Sequence, residues 1–423
     1  MQHMVAFIDV HKKMHAVVVG DAGKEGEVKL QRRKFGAGDG DLKVLADHLT
    51  DLGVKEVCME STAQYWKPVW GKLEERGFHL ELAQAQSNRG RKGRKSDFRD
   101  AERGWRRYIA EELILSYVPD PEQRIWRTQS RTRLRLTRDR VRLENRLEAL
   151  LEEMRIKLSS QVKDLLGVSA TRMLRAIAKG ETDLEKLADM AEPNLQATKA
   201  QLMDAMQGVK HLDARYRVIL TQFFEQLDLI DRHSDKLQEE LAGSLKPHSP
   251  SVERLAEIPG LGVDSAQQII AEVGPTAEKF ATAGDLASWV GVCPGQNESA
   301  EENSSDASPR GNVYMRRILD QAANAAVKAK GTVFQKRYQR IVGRDPKKHA
   351  TAMWAVAHHL LRVIWKVLHD GVRYEERGDR HDPKADKKRA SRLLRQLKAL
   401  GYTVTARRAA TVTARPVASG VHT

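Results

Sequence analysis

The first hundred residues alternate between short apolar runs and segments with helical spacing. Runs of strand length predict strands over residues 4–10, 15–20, 26–34, 54–60 and 78–83. Amphipathic segments predict helices over about residues 41–52 and 64–76, and a further helix begins at Asp97. Three strands followed by alternating helices and strands is the order of an RNase H-like α/β domain, which we place at residues 1–120.

Four carboxylates stand at critical points of these predicted elements. Asp9 lies in the apolar run VAFIDV, Glu60 ends the fourth strand, and Asp97 and Asp100 share one face at the start of a helix. In an RNase H-like domain these elements converge, so the four acids predict one metal site. Carboxylate oxygens suit hard cations such as Mg²⁺, and two such ions can promote phosphoryl transfer.

Each acid taken alone has a plainer interpretation. Acids are common at strand ends and at helix N-termini, where the helix dipole favours them. Asp9 favours the metal site, because an unpaired charge inside a buried strand is expensive.

A basic loop precedes the helix that begins at Asp97. Residues 88–95 contain two glycines and five basic side chains, which are Arg89, Arg91, Lys92, Arg94 and Lys95. Such a loop can lie along a phosphate backbone beside the metal site. The alternative is a solvated loop without a partner.

Strand patterns vanish after residue 121, and residues 121–246 predict a long helical hairpin or coiled coil. Heptad spacing is found in two sets of apolar residues: Leu136, Leu143, Leu147, Leu150 and Met154, then Leu220, Phe223, Leu227, Ile230, Leu237 and Leu241. The first helix is also rich in arginine, and we select four candidates for nucleic-acid contact: Arg131, Arg135, Arg138 and Arg142. The simpler alternative is a hairpin that packs on itself.

A third, all-helical region is predicted at residues 247–380, followed by a basic tail at 381–423. It opens with a linker and the turn Ile258-Pro259-Gly260-Leu261-Gly262, which is typical of a helix-hairpin-helix. Backbone N–H groups at Gly260 and Gly262 can hold a phosphate, although a simple interhelical turn has the same pattern. A polar loop from Gln296 to Gly311 carries four serines, and composition selects none of them as a nucleophile.

The overall charge indicates a polyanionic partner. The 423 residues include 72 Lys and Arg against 57 Asp and Glu, a net charge of +15. A nucleic acid is the first candidate, and a membrane surface is the weaker alternative. The N-terminus leads directly into a strand and late apolar stretches are interrupted by charge, so we expect neither a signal peptide nor a membrane span. Two cysteines fit a reducing, bacterial cytoplasm, where we expect association with the nucleoid.

Several motifs in series resemble those of the DEDD transposases of insertion sequences, a family of RNA-guided serine recombinases. They are FIDVHK, MESTAQYWKPVW, GRKSDFRDAE, IKLSS, IPGLG, LASWVGVCPGQNESA and RGN-x-x-x-RR. The resemblance implies a RuvC-type RNase H-like domain joined through a coiled coil to a helical transposase domain. It implies that Asp9, Glu60, Asp97 and Asp100 hold Mg²⁺ and that Ser299 attacks DNA.

The same resemblance implies further partners. It implies a homo-oligomer, a dimer or tetramer, in which the acids of one subunit and the serine of another form a composite site. It also implies a structured noncoding RNA that specifies the DNA. Within the last motif we select four more candidates for nucleic-acid contact: Arg310, Asn312, Arg316 and Arg317.

The chain departs from the family pattern after Ser299. The family has Gly and basic residues there, whereas this sequence has Glu301 and Glu302, whose charges repel a DNA backbone.

From the motifs in series and the positive net charge, we interpret the chain as a DNA transposase or recombinase that uses Ser299 and needs no ATP. The alternatives are a metal-dependent junction resolvase that uses water, and an inactive copy that only binds nucleic acid.

Overall fold

The structure is a computed structural model that describes most of the chain. The described residues are 3–23, 28–60, 63–85, 87–88, 96–293, 298–299, 302–303, 311–343, 345–376, 390, 391, 394, 395, 397, 398 and 403. The chain divides into two compact units. Unit 1 comprises residues 1–246 with 271–274, and unit 2 comprises residues 247–270 with 275–423.

Unit 1 begins with a five-stranded mixed sheet in the order β3-β2-β1-β4-β5. The first three strands are antiparallel neighbours, whereas β4 and β5 continue the sheet in parallel with β1. The strands are β1 (Met4–Val10), β2 (Met14–Asp21), β3 (Gln31–Gly36), β4 (Glu56–Glu60) and β5 (His79–Ala83). The helices of this domain are α1 (Asp39–Asp51), α2 (Trp66–Glu74) and α3 (Asp97–Ile109). This arrangement is compatible with an RNase H-like domain.

Both faces of the sheet are covered, which explains why β1 reads as a continuous apolar run. One face carries alternate side chains such as Ile8 and Val17, packed with α1 and α2. The other face carries Phe7 and Val18, packed with Trp105 of α3. Since side chains alternate along a strand, Asp9 lies on the same face as Phe7, toward α3.

A missing side chain allows α3 to lie close against β1. A Cβ atom at Gly104 of α3 would stand 2.3 Å from the ring of Phe7, so only a glycine fits there without movement. Trp105, the next residue, donates its indole N–H to the carbonyl of Val5 at 3.0 Å. These contacts fix the helix that carries Asp97 and Asp100 over the strand that carries Asp9.

The third strand lies later in the chain than the predicted range of 26–34. It spans Gln31–Gly36, and it pairs with β2 from Val19 to Met14. Val28 and Leu30 have the hydrophobicity of strand residues, but they pack beside Trp105 on the α3 face. The prediction was wrong here because tertiary packing produced the same apolar spacing as a strand.

The middle of the chain is helical, as predicted. Two long helices, α4 (Pro121–Glu153) and α8 (Ala214–Ser244), pack along each other. Three shorter helices lie between them in sequence: α5 (Val168–Ala178), α6 (Leu184–Ala188) and α7 (Lys199–Ala205). The short helices share one core with Leu147 and Leu220, so the region is a small helical domain rather than a bare hairpin. A coiled-coil geometry for α4 and α8 stays a prediction.

The core of this region follows most of the predicted heptad positions. Leu143, Leu147 and Met154 of the first set are buried, and so are Leu220, Phe223, Leu227 and Leu241 of the second. Leu134 and Leu151 are also buried, although the predicted seam left them out.

A buried ion-pair cluster joins the N-terminal part of α4 to residues 271–274. Arg131 holds both carboxylate oxygens of Glu272 at 2.8 Å, and Arg127 donates to the backbone carbonyl of the same residue. Glu272 is 1 % exposed, so these arginines are its counter-charge in a site with little water. Gln123 adds a hydrogen bond to the carbonyl of Ala271 at 3.2 Å. Residues 271–274 are thereby part of the unit 1 core.

In its described residues, unit 2 is helical apart from one very short strand pair. Its helices are α9 (Ser249–Ala256), α10 (Val263–Val273, of which the last turn belongs to unit 1), α11 (Ala283–Val290), α12 (Val313–Ala326), α13 (Val333–Val342) and α14 (His349–His369). The strand pair is β6 (Glu298–Ser299) with β7 (Glu302–Asn303). Helix α14 has nine buried residues, and it packs against α11, α12 and α13.

Among the described residues, no helix combines the length and the apolar composition that a bilayer crossing requires.

The contact between Gly104 and Phe7 generates a stability prediction. We expect Gly104→Ala to lower the free energy of unfolding by about 1–3 kcal/mol, because the new methyl group overpacks the interface between β1 and α3. Gly71 in α2 is the matched control, since a Cβ there meets no atom within 4 Å. Gly71→Ala should stabilise by up to about 1 kcal/mol through helix propensity alone. Chemical denaturation of both variants checks this, and equal effects would contradict it.

Candidate active site

Asp9 is the buried member of the acidic cluster. It ends the apolar run of β1 and is 6 % exposed. The parallel register pairs Ile8 with Met59, so the next residues, Asp9 and Glu60, lie side by side at the sheet edge. Burial, reinforced by the charges of Glu60 and Asp100 and opposed by His11, raises the pKa of Asp9 to about 6.

Glu60 is held by a residue that begins the basic loop. The side-chain amide of Asn88 donates to the Glu60 carboxylate at 2.9 Å. Asn88 is buried, and its carbonyl accepts a hydrogen bond from Arg103 of α3 at 3.1 Å. The start of the loop is thereby tied to both the sheet and the helix of the site.

The two acids of α3 are paired with basic side chains. Lys34 donates to Asp97 at 3.0 Å, and this hydrogen bond lowers the pKa of Asp97. Arg103 pairs with Asp100 at 2.7 Å, one helical turn further on. His11 lies between two acids, with its Nε2 atom 3.2 Å from Asp9 and 3.8 Å from Asp97.

The structure therefore brings the four predicted acids to one edge of the sheet, but it does not join them into a closed cage. Within the described part of the chain, no three His, Cys, Asp or Glu side chains enclose a point where a metal ion would fit. The acids are turned instead toward Lys34, Asn88 and Arg103. The donor set nonetheless suits a hard divalent cation, because all four side chains offer carboxylate oxygens and Asp9 is buried among like charges.

Sequence reasoning did not identify the basic and amide partners of these acids. His11 stands two residues after Asp9, and Asn88 precedes the basic loop, so both were adjacent to selected residues. Lys34 and Arg103 gave no local signal, because their partners Asp97 and Asp100 are reached only through the fold.

Several predicted residues lie outside the described part of the chain. They are Arg89, Arg91, Lys92, Arg94 and Lys95 of the basic loop, the loop serines at 304, 305 and 308, and Arg310. Ser299 is described as a backbone position only. It lies in β6, where its backbone pairs with that of Glu302 in β7.

The arginines of α4 divide into two groups. Arg131 binds the buried carboxylate of Glu272, so the structure gives it a role in packing, and its contact with nucleic acid stays a prediction. Arg135, Arg138 and Arg142 are exposed, and Arg142 also pairs with Asp139 one turn away. These three stay candidates for phosphate contact.

The two glycines of the IPGLG turn also have different surroundings. Gly260 has a φ of +93°, and a Cβ there would lie 2.3 Å from the carbonyl oxygen of Ala322 in α12. This close approach explains why the residue at 260 has no side chain, and the phosphate contact of its backbone stays a prediction. A Cβ at Gly262 meets no atom within 4 Å, so its backbone stays a candidate for phosphate contact.

The RGN-x-x-x-RR motif likewise serves the fold at its described positions. Asn312 caps α12 by accepting from the backbone N–H groups of Tyr314 and Met315 at 2.9 and 3.0 Å. Arg316 donates to the carbonyl of Gly291 at 2.7 Å, and its guanidinium lies 4.7 Å from the centre of the Trp354 ring.

Arg317 donates to Gln268 at 2.6 Å and to Gln321 at 3.1 Å. Asn312, Arg316 and Arg317 therefore each contribute to the fold, and their contact with nucleic acid stays a prediction.

Comparison with known proteins gives two family matches in series. Residues 7–156 match the model of DEDD transposases of the IS110 group, and residues 252–339 match the model described as "Transposase IS116/IS110/IS902 family". The first match contains all four acids, and the second contains the IPGLG turn and Ser299. Residues 157–251, which include the short helices between α4 and α8, lie in neither match.

Two curated proteins are also similar. A "Probable family 20 transposase" of Pseudomonas aeruginosa is 25 % identical over 319 residues, 74 % of this chain and 83 % of the relative. An "Insertion element IS110 uncharacterized 43.6 kDa protein" of Streptomyces coelicolor is 24 % identical over 259 residues, 57 % of this chain and 62 % of the relative.

The raised pKa of Asp9 predicts a pH dependence of stability. Its folded value of about 6 exceeds the ordinary value of 3.8, so the folded state binds more protons and stability falls as pH rises between these values. Across that window the metal-free protein should lose on the order of 3 kcal/mol relative to Asp9→Asn. Thermal unfolding in EDTA checks this. A stability difference between wild type and Asp9→Asn that does not change with pH would contradict the prediction.

Because Arg131 is bound to Glu272 and Arg135 is exposed, we expect a change at Arg131 to affect mainly stability and a change at Arg135 to affect mainly nucleic-acid binding. Arg131→Gln should destabilise by roughly 3–5 kcal/mol, because it removes a partner of a buried carboxylate. Arg135→Gln should change stability by about 0.5 kcal/mol or less, while weakening nucleic-acid binding and reducing the salt slope by about 1. Denaturant titration and filter binding at several salt concentrations measure both. Equal effects of the two variants on binding would contradict the division.

Proposed function

Because the chain belongs to the IS110 family of DEDD transposases, we propose that it cuts and rejoins DNA strands with the acid cluster and Ser299. The chain is a DNA transposase by family. The proposal concerns which residues carry the chemistry. The observation that supports it most is the buried Asp9, which lies beside Glu60 on the sheet and under the helix of Asp97 and Asp100.

Transposases of the DEDD type use a divalent metal ion, and we propose that this ion is Mg²⁺. Asp9, Glu60, Asp97 and Asp100 would hold it with carboxylate oxygens. When bound, Mg²⁺ supplies positive charge that stabilises the phosphate oxygens during displacement. Lys34 and Arg103 now neutralise Asp97 and Asp100, and they can turn from the acids toward the DNA backbone.

Ser299 is the proposed nucleophile. Its hydroxyl loses a proton, its Oγ atom bonds to phosphorus, and the displaced 3′ or 5′ hydroxyl of the sugar receives a proton. A second DNA strand then reverses the step with its own hydroxyl. Since each step exchanges one phosphodiester for another, no ATP is required. The pairing of β6 with β7 supports this role, because it holds the backbone of Ser299 in a strand pair.

The partners follow from the same proposal. The net charge of +15 and the exposed Arg135 and Arg138 provide affinity for DNA and for a structured guide RNA. Ser299 lies in a different compact unit from the acid cluster. The proposed oligomer, a dimer or tetramer, joins the acids of one subunit with Ser299 of another.

A trapped covalent complex tests the proposed function. The protein is incubated with a nicked suicide DNA and Mg²⁺, digested, and mapped by mass spectrometry. We expect a nucleotide linked through phosphate to Ser299 and its complete loss in Ser299→Ala. Ser304→Ala, a change in the same polar loop, is the matched control and should retain the adduct.

The other outcomes separate the alternatives. Asp9→Ala or EDTA should abolish the adduct while leaving DNA binding within about twofold, since phosphate contacts supply most of the affinity. Metal-dependent cleavage that persists in Ser299→Ala would replace the serine by an activated water. Binding without cleavage or adduct, in wild-type protein with its RNA, would identify an inactive copy.

A further inference from the structure

Unit 2 contains a cavity of about 940 Å³ whose lining includes neither the acid cluster nor Ser299. It lies between α13, α14 and the segment 371–376. Four cationic side chains line it: Arg337 from α13, Arg362 and Lys366 from α14, and Arg373 from the segment. Glu375 is the acidic residue among its described lining residues.

The remaining walls are aromatic and apolar. His359, Trp365 and Tyr374 contribute rings, and four valines fill the surface between them: Val333, Val363, Val367 and Val372. The Tyr374 ring lies nearly parallel to that of the buried Phe334, at 17° and 6.4 Å between ring centres. The cavity therefore offers flat apolar surfaces as well as positive charge.

The segment that forms one wall is anchored. The hydroxyl of Tyr374 donates to the Glu376 carboxylate at 2.7 Å, and the other oxygen of that carboxylate accepts from the backbone N–H of Val333 at 3.1 Å. The wall is thus formed without a ligand, and a ligand that enters has little ordering to impose.

Two of the cationic side chains pair with acids outside the cavity lining. Lys366 pairs with Asp370 at 3.2 Å and Arg373 with Glu257 at 3.5 Å, and both contacts lie at exposed positions. Arg337 and Arg362 lie near the half-buried ring of His359. Burial, together with the charges of these two arginines, lowers the pKa of His359 to about 4, so its ring is neutral and can stack.

We propose that this cavity binds a nucleotide unit of single-stranded nucleic acid. Arg362 binds the phosphate, and the base lies against Tyr374 and Trp365. A positive groove with aromatic walls is how proteins hold single strands without reading their sequence. An acidic peptide could also satisfy the arginines, but it offers a planar ring only where an aromatic residue lies beside the acid, whereas every nucleotide joins a base to a phosphate. The proposal requires neither the acid cluster nor Ser299, so it can fail or succeed independently of the proposed function.

Binding of a short single strand to the full-length protein tests this. The probe is a fluorescein-labelled tetrathymidylate carrying one 4-thiothymidine, measured by anisotropy at about 0.3 M salt, where non-specific contacts are weak. We expect Arg362→Gln to raise the Kd about tenfold or more, because a charge-assisted contact to phosphate is lost. Lys336→Gln removes the same charge from an exposed site on α13 outside the lining, and it should raise the Kd about twofold or less. Equal losses in both variants would overturn the proposal.

Two further measurements define the ligand and the location. Photo-crosslinks should map to Tyr374, Trp365 or His359, and crosslinks confined to other residues would overturn the proposal. Competition by thymidine monophosphate supports a single nucleotide as ligand, and competition only by oligothymidylate supports a strand. If inorganic phosphate displaced the probe as effectively as thymidine monophosphate or oligothymidylate, recognition of the base would be overturned. Lys366→Gln is a second variant with the same expected direction, and unchanged melting curves exclude unfolding as its cause.

Discussion

The burial of one carboxylate, that of Asp9, is the constraint to which the N-terminal domain is adapted. The strand around it is apolar on both faces because helices cover both sides of the sheet. A charge in that setting is costly unless cations are near. The His11 ring lies 3.2 Å from Asp9, while Lys34 on β3 and Arg103 on α3 pair with the neighbouring acids Asp97 and Asp100. Burial still raises the pKa of Asp9, and the proposed metal ion would lower the electrostatic cost of its charge.

Much of this domain could be predicted from periodicity. The strand order, the burial of β1 and the start of α3 follow from local patterns of apolar residues, and they suffice to bring Asp9, Glu60, Asp97 and Asp100 to one edge. The partners of these acids could not be predicted. Lys34 lies 63 residues from Asp97, and hydrophobic spacing carries no information on which lysine of a basic chain reaches which acid. The shifted third strand shows the same limit, since Val28 and Leu30 pack on the α3 face without belonging to a strand.

The basic residues show most clearly that composition does not determine role. Arg131 and Arg135 stand one helical turn apart on α4, with the same charge and similar neighbours in sequence. One binds a carboxylate 141 residues away and the other faces solvent. In the same way, Gly260 and Gly262 belong to one motif, but the first is required by the approach of α12 and the second is open. The basic side chains thus serve both the fold and the binding of polyanions. Only the tertiary contacts show which side chain serves which role.

The inclusion of Ala271–Gly274 in unit 1 has a consequence for how such mobile elements decay. A frameshift or stop codon anywhere between residues 246 and 271 would leave every acid of the cluster in the reading frame. It would also delete Glu272, the carboxylate that Arg127 and Arg131 share in the core. The shortened product would keep Arg127 and Arg131 without the buried carboxylate that they share, at a cost of several kcal/mol. Loss of the second unit would therefore also weaken the first.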